Sequence, residues 1–247
     1  MQEGISNSSV IAITQDNDHF LWFGTRDGLN RFDGYNIQIF RKDRGNPNSL
    51  LFDDIRLLYF DPQLKTIWAG STKGLSRFIS EKNEFHNYHF NPTKVNDISE
   101  YYIQALLRDS KGNLWVGVPD GLYLFNATKD KFEKQSIKYQ GNPLNILSIH
   151  EDRGKKIWIG TNVGLFQLKY GLNKQVNLEE VYIPEVPGVK PIKGQAIYAI
   201  QSDLHQQLWL GTHGEGLYKW HTLTNKMAQY KHIEKDSRSL SNNMIRS

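Results

Sequence analysis

The sequence predicts an all-β propeller of four-stranded antiparallel blades, on three observations. Leu or Ile, then Trp, one variable residue and Gly, occurs five times: Leu21-Trp22-Phe23-Gly24, Ile67-Trp68-Ala69-Gly70, Leu114-Trp115-Val116-Gly117, Ile157-Trp158-Ile159-Gly160 and Leu208-Trp209-Leu210-Gly211. These tryptophans are spaced 46, 47, 43 and 51 residues apart. Each copy is followed by Gly-Leu, at Gly28-Leu29, Gly74-Leu75, Gly121-Leu122, Gly164-Leu165 and Gly216-Leu217. A period of this length, made of short β segments, is that of a propeller blade.

Each unit reads as four strands. Strand A is the apolar run before an aspartate, as in Val10 to Thr14, with apolar residues three and six positions before that aspartate. Asp16, Asp109, Asp152 and Asp203 stand six residues before their tryptophans and Asp61 stands seven before Trp68. The aspartate is assigned to a tight turn, because its side chain accepts bonds from its own downstream amides. Strand B carries the Trp motif. A short turn leads to strand C, which begins at Gly-Leu, and a second turn (Asp33-Gly34 in the first unit) leads to strand D. Strands B and C are apolar on both faces, as in sheets covered on both sides. The five repeated tryptophans are therefore expected in the packing between blades, and Trp220, at the position of Phe32, Phe78, Phe125 and Leu168, in the core as well.

One domain is expected over residues 1–247, with blades at 5–48, 49–97, 98–144, 145–195 and 196–239. The stretch Ser239 to Ile245 repeats the lead-in to a strand A, with Ile245 at the position of Ile55. Residues 240–247 are thus expected to begin a sixth blade, and the chain to be part of a larger, seven-bladed propeller.

Composition narrows the function classes. A charged fraction of 23% and an apolar fraction of 38% suit a soluble domain. No run approaches the roughly 20 apolar residues that cross a bilayer, and Met1 to Val10 lacks the features of a secretion signal. Cysteine is absent, which excludes disulfides and thiol catalysis. The net charge of +4 is spread among mixed signs without a Lys/Arg-rich run, so no direct nucleic-acid binding is expected.

The stretches Ser8-Ser9-Val10 to Asp16, Phe20 to Thr25 and Asp27-Gly28-Leu29-Asn30-Arg31-Phe32-Asp33-Gly34-Tyr35 resemble the first blade of two-component regulator propeller proteins. Asn48-Ser49-Leu50 and Ser239 to Asn243 are similar to that family's inter-blade segment. Val118-Pro119 departs from the pattern by replacing Thr, and the fourth unit lacks the Gly-Leu-x-Arg ending. The resemblance implies the sensor half of a hybrid two-component system of the kind known from gut Bacteroidetes. Such a protein would detect oligosaccharides upstream of a membrane span and a histidine kinase. It further implies a periplasmic ectodomain of an inner-membrane protein, homodimeric when complete and touching the membrane only through downstream regions.

Propeller enzymes place carboxylates or histidines on inner strands, where two acids divide acid and base work. The interior strand A positions here are Ile11-Ala12, Arg56-Leu57, Gln104-Ala105, Leu147-Ser148 and Tyr198-Ala199, with no carboxylate, so no catalytic residue is expected. Asp109-x-x-Gly112-x-x-Trp115 is one residue too long for a sialidase Asp-box. His86-x-x-His89 would point to opposite faces of a strand, so neither a metal site nor a cofactor is expected.

In an up-and-down blade, the B–C turns and the D-to-A linkers emerge on the same side. That face gathers the ligand-binding candidates Arg26, Asp27, Lys73, Asp120, Asn162, His213 and Glu215, with linkers near 41–54, 89–101 and 182–195. Side chains of these types suit sugar hydroxyls and carboxylates. The leading expectation is a non-enzymatic, oligosaccharide-sensing ectodomain. The alternative is a structural or protein-interaction propeller that makes dimer contacts, and a carbohydrate-active propeller enzyme comes third.

Overall fold

The computed structural model describes residues 4–90, 102–171, 175–183 and 185–246. Among them are five sheets, each of four antiparallel strands hydrogen-bonded in sequence order. The first holds β1 (Val10–Gln15), β2 (Leu21–Thr25), β3 (Gly28–Phe32) and β4 (Ile37–Phe40), and the second β5 (Ile55–Asp61), β6 (Thr66–Ser71), β7 (Gly74–Ile79) and β8 (Glu84–Tyr88). The third holds β9 (Ala105–Arg108), β10 (Leu114–Val118), β11 (Gly121–Asn126) and β12 (Lys131–Lys134). The fourth consists of β13 (Ile146–Glu151), β14 (Ile157–Thr161), β15 (Gly164–Tyr170) and β16 (Val176–Glu180). The fifth consists of β17 (Ile197–Ser202), β18 (Gln207–Thr212), β19 (Leu217–His221) and β20 (Met227–Tyr230). The fold is thus an all-β propeller of four-stranded blades. Two compact units make it up, Met1–Gln104 with Phe125–Phe132, and Ala105–Leu124 with Glu133–Ser247.

Burial follows the sequence pattern. Every residue of β6, β10 and β14 is buried, on both faces, as a strand between covered surfaces must be. Trp22, Trp68, Trp115 and Trp158 are buried. Phe78 of the next blade meets Trp22 at 5.0 Å between ring centroids, Phe125 meets Trp68 at 5.7 Å, and Trp220 meets Trp158 at 5.7 Å.

The repeated aspartate does more than form a turn. In the first blade Asp16 Oδ1 accepts the amides of Asp18 and Phe20, while its Oδ2 accepts the Trp22 indole N–H at 2.7 Å. The same indole bond is 3.3 Å at Trp68–Asp61, 2.8 Å at Trp115–Asp109, 2.8 Å at Trp158–Asp152 and 3.3 Å at Trp209–Asp203. A buried indole needs an acceptor, and a carboxylate makes the stronger kind of bond. Asp109 is also bonded by Asn113 and the Tyr170 hydroxyl. Burial would raise its carboxyl, but the bonds from Tyr170, Trp115 and Asn113 outweigh it and hold the group below its ordinary 3.8.

The motif glycine is where blades meet. A Cβ on Gly24 would lie 2.8 Å from Ile55 Cγ2, one on Gly70 2.9 Å from Ile103 Cβ, and one on Gly117 2.6 Å from Ile146 Cγ2. At Gly160 it would meet Ser148 Oγ and the Ile197 carbonyl. Ile55, Ile146 and Ile197 open strand A of the next blade and Ile103 lies two residues before it, and none of the four is more than 2% exposed. After Ile55, Ile146 and Ile197 the strand register slips by one, a bulge that takes Arg56, Leu147 and Tyr198 out of the ladder.

Ile245 enters the same joint. A Cβ on Gly211 would lie 2.7 Å from its Cγ2, and its amide donates to the Thr212 carbonyl at 2.9 Å. The segment makes an isolated bridge, His213 with Met244, rather than a ladder.

Gly117→Ala should destabilise the fold by about 2–3 kcal/mol, as overpacking in a close-packed core does. Gly45→Ala, whose nearest neighbour would be an Asp43 side-chain oxygen at 3.4 Å, should change stability by less than about 0.5 kcal/mol. Urea unfolding of the two variants checks this; equal effects would remove the joint from the account.

Candidate functional site

The B–C turns are built by a hydroxyl at the end of strand B. Thr25 Oγ1 donates to the Gly28 carbonyl at 3.0 Å and accepts the Asp27 amide at 3.1 Å. Ser71 makes the same pair of bonds with Gly74 and Lys73, Thr161 with Gly164 and Val163, and Thr212 with Gly216 and Glu215. Val118 has no hydroxyl to offer, which is the physical content of the departure in the third unit. Gly28 and Gly74 sit at φ of 121° and 141°, a region closed to most side chains.

Turns and linkers come together as their topology requires. The Gly28 amide donates to Asp53 O at 2.8 Å, and Gly194 donates to Val163 O at 2.7 Å. The amides of Gly214 and Gly216 both donate to Asn243 O. Of the linkers, residues 91–101 lie outside the described residues.

In the first unit Arg26 and Lys73 are exposed, and neither side chain has a protein partner among the described residues. Asp27 is ion-paired with Arg41 at 2.9 Å, just beyond strand D of its blade. In the second unit Asp120 repeats that latch with Lys134 at 2.6 Å. Asn162 is exposed with its side-chain amide unpaired among the described residues, and the exposed His213 ring stands 5.7 Å from that of Tyr198. Glu215 takes Lys190 at 2.5 Å and Lys231 at 2.6 Å, and bonds from these two lysines hold its carboxyl below the ordinary 4.5.

Two further features carry chemistry that sequence reasoning missed. Gln104 has both amide atoms buried without a protein partner, a state that usually signals a ligand or water. Its place among the interior strand A positions was legible in the sequence, but a neutral amide there carries no acid or base signal. His150 Nε2 lies 2.8 Å from Ser202 Oγ, and burial lowers the imidazole below 6.5. Among the described residues no third group is hydrogen-bonded to that ring. Among the described residues no group of three or more His, Cys, Asp or Glu could hold a metal ion.

A groove of about 500 Å³ runs along the fifth blade between Trp209, Tyr230, Lys231, Ile233 and Leu240. Trp209 is half-exposed there, unlike the other four motif tryptophans, and stacks on Tyr230 at 6.0 Å. At the corresponding position of the first blade, Trp22 is covered by Phe78 of the second.

Residues 4–27 and 97–120 match the family described as two component regulator propeller. The chain is 30% identical to Histidine kinase P4 of Formosa agariphila, over 68% of this chain and 16% of that protein. The extracellular domain assigned to the hybrid two-component system BT4673 of B. thetaiotaomicron is 23% identical, with a TM-score of 0.59 over 99% of this chain and 36% of that one. The corresponding domain assigned to BT3049 is 20% identical, with a TM-score of 0.63 over 100% of this chain and 38% of that one. The chain spans a minor part of each.

Glu215→Gln tests the lysine clamp. Because the folded carboxyl lies below 4.5, its stabilisation is present above that pH and is lost as pH falls through the folded value. The variant should be less stable by about 0.5–1 kcal/mol at pH 7 and match the wild type near pH 3. A stability gap that does not depend on pH contradicts the clamp.

Proposed function

Starting from a chain built of two-component regulator propeller repeats, we propose that it is the ligand-sensing part of a hybrid two-component sensor. It acts outside the cytoplasm, without catalysis, and its ligand is an oligosaccharide. In this reading a histidine kinase, as in the relative from Formosa agariphila, lies elsewhere in the protein. The receptor is periplasmic and homodimeric.

The supporting observation is the division of labour at the turns. Hydroxyls and glycine amides that recur from blade to blade are used up in building the turns, while Arg26, Lys73 and Asn162 keep their polar heads unengaged among the described residues. Donors held on rigid hairpins, with little reorganisation left, suit planar and hydroxyl-rich ligands. Asp27, Asp120 and Glu215 keep lone pairs beyond their ion pairs and can accept from sugar hydroxyls. In this reading Arg26 and Lys73 meet ligand in one unit, and Asn162 and His213 in the other.

Isothermal titration against a panel of neutral and acidic oligosaccharides checks this. At least one should bind, and Arg26→Ala or His213→Ala should weaken that affinity tenfold or more while leaving the melting temperature unchanged. Failure of every oligosaccharide to bind, or affinities indifferent to both substitutions, would overturn the assignment.

A further inference from the structure

Two blades carry an arginine three residues after the strand C glycine, Arg31 and Arg77, and only one of them is neutralised. Both guanidinium carbons stand 5.7 Å from the ring of their own motif tryptophan, Trp22 and Trp68. Arg77 pairs with Asp130 at 3.3 Å, and Asp130 also accepts the Tyr88 hydroxyl at 2.8 Å. Asp130 is the residue just before β12, in a left-handed conformation with φ of 46°. One blade earlier, the residue just before β8 is Asn83, with φ of 54°. The joint that would supply Arg31 with a carboxylate therefore supplies a neutral amide, whose Oδ1 accepts from Gln38 Nε2 at 3.3 Å.

Arg31 is thus half-buried and charged, and among the described residues its guanidinium has ring contacts only. It lies 4.8 Å from the Phe20 centroid and 5.9 Å from that of Phe78. The three rings leave its N–H groups without a protein acceptor among the described residues, and an arginine cannot shed its charge. Arg31 lines a pocket of about 150 Å³ whose apolar wall includes Phe20, Phe60 and Phe78. Lys65, exposed at the rim, also has no side-chain partner among the described residues. Asp16 and Asp18 line the pocket too. Asp16 is engaged by the Trp22 indole and two turn amides, and Asp18 is exposed. A pocket of this size takes a small occupant.

We propose that this pocket binds a small ring-bearing carboxylate, its carboxylate taking the place at Arg31 that Asp130 takes at Arg77. The guanidinium edge offers two parallel N–H donors to such a group, Lys65 adds a second cation, and the aromatic wall covers the ring. The site lies at the A–B and C–D turns of the first unit and is independent of the B–C turn reading.

Benzoate is the probe, benzamide its neutral counterpart, and the arginine Nε–H and tryptophan indole resonances of the ¹⁵N-labelled protein are the readout. Benzoate should give saturable shifts at Arg31 and Trp22, and benzamide should give none. Asn83→Asp should restore the internal pair, weaken benzoate at least tenfold and leave the fold intact, because Asp130 already occupies that geometry in the next blade. Arg31→Gln should also weaken benzoate at least tenfold, and it decides the matter if Asn83→Asp does not fold. The proposal is overturned by no saturable shift, by equal response to benzamide, or by undiminished benzoate binding in the folded variants.

Discussion

The close approach of one isoleucine to one glycine, repeated from blade to blade, is the constraint on which the structure depends. Ile55, Ile103, Ile146, Ile197 and Ile245 are each seated where the preceding blade's strand B has no side chain. No residue but glycine leaves that space, and interiors at this packing density do not absorb an added methyl without displacement. The motif glycine is therefore a steric requirement of neighbouring sheets and not a turn residue. It also explains why strand B is buried on both faces and why its tryptophan cannot serve as an exposed platform. Of the five motif tryptophans, Trp209 alone comes partly into solvent.

Around that contact the repeat assigns one task to each recurring polar group. The aspartate closes the A–B turn with one oxygen and holds the indole with the other, so turn and core are tied through a single carboxylate. The strand B hydroxyl closes the B–C turn. With these groups spent on the frame, chemistry is left to positions where units differ. Arg26, Lys73 and Asn162 at the B–C turns are such positions, and so is Arg31, whose partner position holds an amide in place of a carboxylate. A propeller varies its function at loops and mismatched joints because the remainder of each blade is committed to its neighbours.

Much of this was legible in the chain. Five in-phase copies of a motif announce the blades, the Gly-Leu pairs mark strand C, and Ile245 at the position of Ile55 announces the fifth entry into the joint. The indole–aspartate bond left only a trace, since Asp stands six residues before Trp in four copies and seven in the other, a spacing that the turn alone already accounted for. The ion pairs at Asp27, Asp120 and Glu215 were not legible. They join residues about a dozen or more positions apart whose meeting depends on hairpin register. The lone guanidinium of Arg31 was equally hidden, because it emerges only from a comparison of Asn83 with Asp130 across two turns of different blades.

If the isoleucine–glycine contact holds neighbouring units together, loosening one joint should loosen one blade. Native-state hydrogen exchange on Ile245→Ala tests this most directly, because Ile245 touches Gly211 and bonds Thr212 without belonging to a completed sheet. The account predicts faster exchange concentrated in β18 and β19, with protection in β2 and β3 unchanged. Protection unchanged throughout, or lost equally in every blade, would contradict it.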